Sequence, residues 1–148
     1  MLLFARFALI ISLPAAVAAA HHEIEVLIDG EQGMDNFTIV GTANWTPVDG
    51  AIQATTSEGG ASWLVTKKSY DDIRVVVEFW ASEDANSGIY MRCESPDKIG
   101  DRTCYEANIY DQRPDPSYGT GAIVHIATAP EPRMLVGGKW NTYEITLQ

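Results

Sequence analysis

The chain has 148 residues, 46% of them hydrophobic, enough for one domain with a substantial core. Twenty acidic against ten basic residues give a formal net charge of -10. That balance argues against a nucleic-acid surface, which must be basic, and against docking on anionic lipid.

The first twenty residues read as a secretory leader. Arg6 supplies the positive n-region, Phe7 to Leu13 the apolar h-region, and Pro14 interrupts it. Ala18-Ala19-Ala20 offers a small-residue cleavage site, and the apolar run is short for a bilayer span. The expected organisation is therefore a leader over 1–20 and a single domain over 21–148. An exported product, periplasmic or extracellular, with no stable membrane association follows from it.

Beyond the leader, helix signals are poor. β-branched and aromatic residues come in short runs between Gly, Asp, Asn and Pro. Strands are expected at 25–28, 45–48, 51–54, 62–66, 73–80, 88–92, 105–110, 122–127 and 142–147. Asp49-Gly50, between the second and third of these, is a tight hairpin signal. Many short strands with such turns predict an all-β sandwich or barrel.

Alternation assigns faces. Val75, Val77 and Phe79 share one side of their strand, and Arg74, Val76, Glu78 and Trp80 the other. Ile89 and Met91 oppose Tyr90 and Arg92. Tyr105, Ala107 and Ile109 oppose Glu106, Asn108 and Tyr110. With the apolar sets in the core, Glu78, Trp80, Tyr90, Arg92, Glu106, Asn108 and Tyr110 come to one polar surface. This is either a sugar-binding face or a solvated face with cross-strand ion pairs.

The two cysteines, Cys93 and Cys104, are expected to form a disulfide in an exported chain, at a gain of about 3 kcal/mol for so short a loop. A plain rung between 88–92 and 105–110 conflicts with alternation, because it sets Cys93 with Met91 and Cys104 with Glu106. Either a bulge intervenes or the cysteines lie beyond the ladder.

The ordered series Leu27-Ile28-Asp29-Gly30, Trp45 with Asp49-Gly50, Trp63-Leu64-Val65-Thr66 with Tyr70, Val77-Glu78-Phe79, Asn86-Ser87-Gly88-Ile89 with Arg92, Tyr105-Glu106 with Asp111, Thr120-Gly121-Ala122, and Trp140-Asn141-Thr142-Tyr143-Glu144-Ile145 resembles the 3-keto-disaccharide hydrolase-type domain family. The resemblance covers nearly all of 21–148. It implies a concanavalin A-like jelly roll of two antiparallel sheets, with closing strands after the last motif, so the chain is expected to be C-terminally incomplete. It also implies cleavage of glycosides oxidised to a ketone at carbon 3. The site residues it suggests are Glu106 as acid/base and Arg92 as electrostatic group. Glu78, Trp80, Asn86, Asn108, Asp111 and His125 would contact the sugar. The alternative is a non-catalytic carbohydrate-binding module. No cofactor is required by these motifs. Asp97, Asp101, Asp111 and Asp115 offer oxygen ligands for calcium without matching a loop motif.

Overall fold

A computed structural model describes residues 2–12, 23–55 and 60–148. The strands in chain order are β1 (Leu2–Ser12), β2 (Glu23–Asp29), β3 (Phe37–Val40), β4 (Asn44–Val48), β5 (Ala51–Thr55), β6 (Trp63–Thr66), β7 (Ile73–Ala81), β8 (Ser87–Met91), β9 (Tyr105–Ile109) and β10 (Trp140–Leu147). Among the described residues two short 3-10 turns, Met34–Asn36 and Pro116–Tyr118, interrupt them. The fold class is all-β with antiparallel pairing, as the run lengths and turn signals predict. The described residues fall into two compact units. One is Trp80–Lys139 with the start of β1 through Leu3; the other is Phe4–Phe79 with Trp140–Gln148.

The second unit is built on a six-stranded sheet in the order β10-β7-β1-β5-β4, with β2 paired to β1. β7 shows how sequence makes such a strand. Ile73, Val75, Val77 and Phe79 are buried, while Arg74 and Glu78 are exposed, in strict period two. Each buried side chain contributes about 1.5–3 kcal/mol by leaving water. Phe79 meets Tyr143 of β10 edge-on, with ring centroids 4.9 Å apart. On the polar side Arg74 pairs with Glu144 at 2.8 Å. Asp49 and Gly50 join β4 to β5 with φ of 52° and 72°. Two positive φ values make the turn that matches strand twist, which is why Asp-Gly stands there. Pro47 lacks an amide donor and is tolerated because β4 is the sheet edge.

Part of the segment read as a leader is β1 itself. Leu2–Ser12 runs between β7 and β5 and pairs antiparallel with β2, from Phe7↔Asp29 to Ser12↔Glu23. An apolar run suits an interior strand as well as an h-region, so composition alone does not separate the two. The cleavage site at Ala18-Ala19-Ala20 lies outside the described residues.

The first unit carries β8 and β9, paired from Ser87↔Ile109 to Met91↔Tyr105. The free edge of β9 is covered by 120–124. Asn108 N donates to Ala122 O at 3.0 Å, Gly121 N to Asn108 O at 3.0 Å and Val124 N to Glu106 O at 3.1 Å. β9 therefore has its backbone satisfied on both sides, as a buried strand requires. The expected strand 122–127 is instead a tight turn. Ile123 and Ala127 exchange backbone hydrogen bonds at 2.9 Å each, and His125 at its tip has φ of 64°. A left-handed residue cannot continue a strand.

Candidate functional site

Ile89, Met91, Ala107 and Ile109 take the apolar face of the β8–β9 pair, and Gly88, Tyr90, Glu106 and Asn108 the opposite one. Tyr90 stands directly across from Glu106. Glu106 is only 5% exposed and Asn108 fully buried. Burying a carboxylate is costly unless its charge is compensated. Partial compensation comes from Tyr90, directly across the rung, which favours the charged form of Glu106. Desolvation nevertheless holds the Glu106 pKa above the ordinary carboxylate range. Asp101 adds to the rise, while the Tyr90 hydrogen bond and the charges of Arg113 and His125 oppose it. Tyr90 is pushed up in turn, first by burial and then by Glu106.

Gly88 explains the Asn86-Ser87-Gly88 motif. A Cβ built on Gly88 would stand 2.8 Å from both Cγ and Oε1 of Glu106 and 3.1 Å from the Ala107 carbonyl oxygen. The Glu106 side chain therefore lies over the Gly88 backbone, in space that any other residue would fill. The glycine is needed here for close approach rather than for an unusual φ.

Both ways out of the cysteine conflict are used together. Cys93 and Cys104 are bonded just beyond the last rung, Met91↔Tyr105. Glu94 N then donates to Thr103 O at 2.9 Å, so pairing resumes with Arg92 and Cys93 standing against Cys104 alone. Arg92 takes up the extra position with φ of 49° and is exposed. Its side chain thus lies past the region where alternation assigns a face.

The disulfide closes the loop 94–103, which is stiffened by Thr103 N and Cys104 N donating to Gly100 O at 3.1 and 3.0 Å. That loop presents Asp101, whose Oδ2 lies 2.8 Å from His125 Nε2. The His125 ring also packs near Tyr118 at 5.9 Å between centroids. Asn108 Nδ2 donates to the Tyr118 carbonyl at 2.6 Å, tying this wall to β9. A left-handed, non-glycine histidine held by a carboxylate is a strained arrangement, and such strain concentrates at functional sites.

Asp111 is committed elsewhere. Its Oδ1 accepts from Thr120 Oγ1 at 2.6 Å, and its Oδ2 from Val136 N and Gly137 N, each at 2.9 Å. Thr120 Oγ1 also accepts from Tyr110 N at 2.9 Å. Asp111 is thus a latch between the end of β9 and the segment 136–137. Asp115 caps the Pro116–Tyr118 turn by accepting from Ser117 N at 3.1 Å. With Asp101 on His125, the aspartates proposed for calcium are dispersed. Among the described residues no group of three or more His, Cys, Asp or Glu is gathered as a metal site.

Of the residues expected at the site, Glu106, Asn108 and His125 come together through β9, the 120–127 turn and Tyr118. Arg92 adjoins the disulfide. Asn86 is exposed just before β8, and Trp80 is half-buried at the end of β7. Glu78 is exposed on β7 within the other unit. Tyr90, Asp101 and Gly88 were not on the expected list. Alternation places Tyr90 on the face of Glu106, so its signal was legible; nothing in local sequence pairs Asp101 with His125.

Comparison with known proteins agrees with the motif series. No curated protein and no solved structure gave a significant match. The family model described as 3-keto-alpha-glucoside-1,2-lyase-like domain matches residues 23–148. That span includes β2 through β10 and every site residue described above, and the chain belongs to this family.

Proposed function

We propose that the protein is a carbohydrate-active enzyme that cleaves 3-keto-glucosides by elimination across C1 and C2, followed by hydration, with Glu106 as the base. The observation that carries this reading is the buried Glu106 carboxyl, placed across from Tyr90 and seated over Gly88. The family match supports the substrate class.

The chemistry follows from the ketone. A carbonyl at C3 acidifies the hydrogen on C2, so a carboxylate can remove it. The electron pair freed at C2 forms the C1–C2 double bond as the C1–oxygen bond breaks. Water then adds at C1, and the net result is hydrolysis. A base whose pKa is raised by burial suits this task, since a more basic carboxylate gains driving force for proton removal. Tyr90 steadies the carboxylate in one orientation. Arg92 is the cation assigned to the ketone oxygen, where charge develops as the proton leaves. Asn86 and Trp80 serve as sugar contacts. Asn108 and Asp111 act mainly by holding the wall around Glu106, given the bonds they already make.

Export accompanies this reading. The Cys93–Cys104 disulfide fits an oxidising compartment, and no helix among the described residues is long and apolar enough to cross a membrane. N-terminal sequencing of secreted protein decides between the two uses of 2–12: His21 first is expected and means a mature protein without β1, whereas a start at Met1 would contradict leader removal and keep β1 in the sheet.

The test is a paired screen of 3-keto-disaccharides and their unoxidised parents for released monosaccharide. Turnover of the keto sugars alone is expected. Tight binding of sugars without turnover would instead make this a carbohydrate-binding module.

A further inference from the structure

The reaction above uses one proton acceptor, yet the departing sugar oxygen also needs a proton. An alkoxide is a poor leaving group from C1. The geometry points to His125, positioned by Asp101, as the acid that protonates the departing oxygen; this rests on the elimination reading.

Its position in the fold places it there. His125 follows Val124, whose backbone N–H is bonded to the Glu106 carbonyl at 3.1 Å, so the turn that carries His125 is fixed to the strand that carries the base. His125 Nε2 is held by Asp101 Oδ2 at 2.8 Å, which turns Nδ1 into the nitrogen for substrate. The side chain is 30% exposed, open enough to meet a ligand. Its backbone is held left-handed, a conformation with a cost that a purely solvated turn has no reason to bear. Asp101 does not reach substrate in this scheme. It is a positioning residue, delivered by the disulfide-closed loop, that orients the ring and stabilises the imidazolium. The groups facing the histidine are Asp101 from that loop, Glu106 from β9 and Tyr118 from the short 3-10 turn. Tyr90 and Arg113 bear on Glu106 rather than on the histidine.

The step balances. Glu106 takes the C2 hydrogen as a proton, and that bonding pair becomes the new π bond. The C1–oxygen pair leaves with the departing sugar, whose oxygen takes the proton of the His125 imidazolium. Water then attacks C1 while neutral His125 accepts its proton, and the Glu106 carboxylic acid returns its proton to C2. Both groups end as they began.

Leaving-group dependence tests this directly. His125→Asn removes the acid while keeping a residue that tolerates the left-handed region. On a 3-keto-disaccharide, whose departing alcohol needs a proton, kcat is expected to fall about 10²- to 10⁴-fold, the usual worth of general acid catalysis. On 4-nitrophenyl 3-keto-α-glucoside, whose phenolate departs unaided, the loss should be less than about tenfold on the same basis. Asp101→Asn should show the same selectivity more weakly, with KM little changed. Equal losses on both substrates, with the thermal transition intact, would overturn the proposal and leave His125 a structural residue. Equal losses from both variants with a collapsed transition would also overturn it, since the pair would then only hold the loop. A wild-type protein inactive on both substrates would refute the elimination reading itself, a result distinct from either.

Discussion

Two glutamates in this molecule sit beside a tyrosine, and they are tuned in opposite directions. Glu25, at the start of the sheet unit, is salt-bridged to Lys68 at 2.7 Å, and that lysine also stands 5.1 Å over the Tyr70 ring. Its pKa is lowered, chiefly by the Lys68 hydrogen bond. Tyr70 is pushed up to about 12 by burial and by Glu25. Glu106 has the same tyrosine neighbour but no lysine, and burial raises its pKa instead. The pairing of residue types is shared; the cation and the solvent decide what each carboxylate can do. Glu25 is a fixed anion in a surface latch, whereas Glu106 is poised to take a proton.

The same contrast holds for the cores. Among the described residues of the sheet unit the buried ones are apolar. The buried polar ones, Glu106, Asn108 and Thr120, all belong to the other unit. Their stability is maintained by specific bonds to Tyr90, Tyr118 and Asp111. Polar groups kept inside at such cost mark a place where something other than stability is served.

Substitutions can break this comparison, and the largest effect should come from Glu106→Gln. Losing the base should lower kcat by about 10³-fold or more. The fold should survive, because glutamine fills the same space and still accepts from Tyr90. Its stability has a sign that can be checked. A raised folded-state pKa means the folded chain holds the Glu106 proton more tightly than the unfolded one. The resulting stability is present below the ordinary carboxylate pKa and is lost as pH rises through the folded value. Glu106→Gln removes that loss, so thermal melts should find it at least as stable as wild type at neutral pH, with no such advantage in acid.

Gly88→Ala comes next. Its Cβ would stand 2.8 Å from the Glu106 carboxyl, so the base must shift. A displacement of about 1 Å is enough to cost 10²-fold in turnover, alongside about 1–3 kcal/mol of stability from overpacking. Steady-state kinetics with urea unfolding would separate the two losses.

Tyr90→Phe sharpens the electrostatic side. The Tyr90 hydrogen bond opposes the rise in the Glu106 pKa, so removing it should raise that pKa further. The acid limb of the pH–rate profile should move to higher pH, with activity lost first on the acid side.

Asp111→Ala probes the latch. It leaves two backbone amides and a threonine hydroxyl without their acceptor, and should cost about 2–3 kcal/mol by chemical denaturation. Lys68→Ala, at the other glutamate, should have the smallest effect on stability, because the pair is exposed, and should leave turnover unchanged.

How much of this was legible depends on how local the cause is. Period-two burial in β7, the Asp49-Gly50 turn and the two faces of β8 and β9 follow from side-chain alternation and came through in the residues alone. The register conflict at Cys93 and Cys104 was also visible, because pairing rules forbid the simple answer. Its resolution was not, since nothing in the sequence requires Arg92 to adopt a left-handed conformation. The 122–127 run has strand composition but closes on itself as a turn. The Asp101–His125 pair joins residues 24 apart on two loops, and alternation carries no information across such a gap. β1 marks a further limit. An apolar run of that length satisfies both a leader and a sheet interior.

The central claim is that Glu106 removes the C2 proton, and isotope exchange reads that event without bond cleavage. Incubating 1,5-anhydro-3-keto-glucitol, which has no leaving group at C1, with the enzyme in deuterated water should exchange the C2 hydrogen for deuterium. NMR should find that exchange with wild-type protein and not with Glu106→Gln. Undiminished exchange in the variant, or none in a wild-type enzyme that still cleaves 3-keto-disaccharides, would contradict the account.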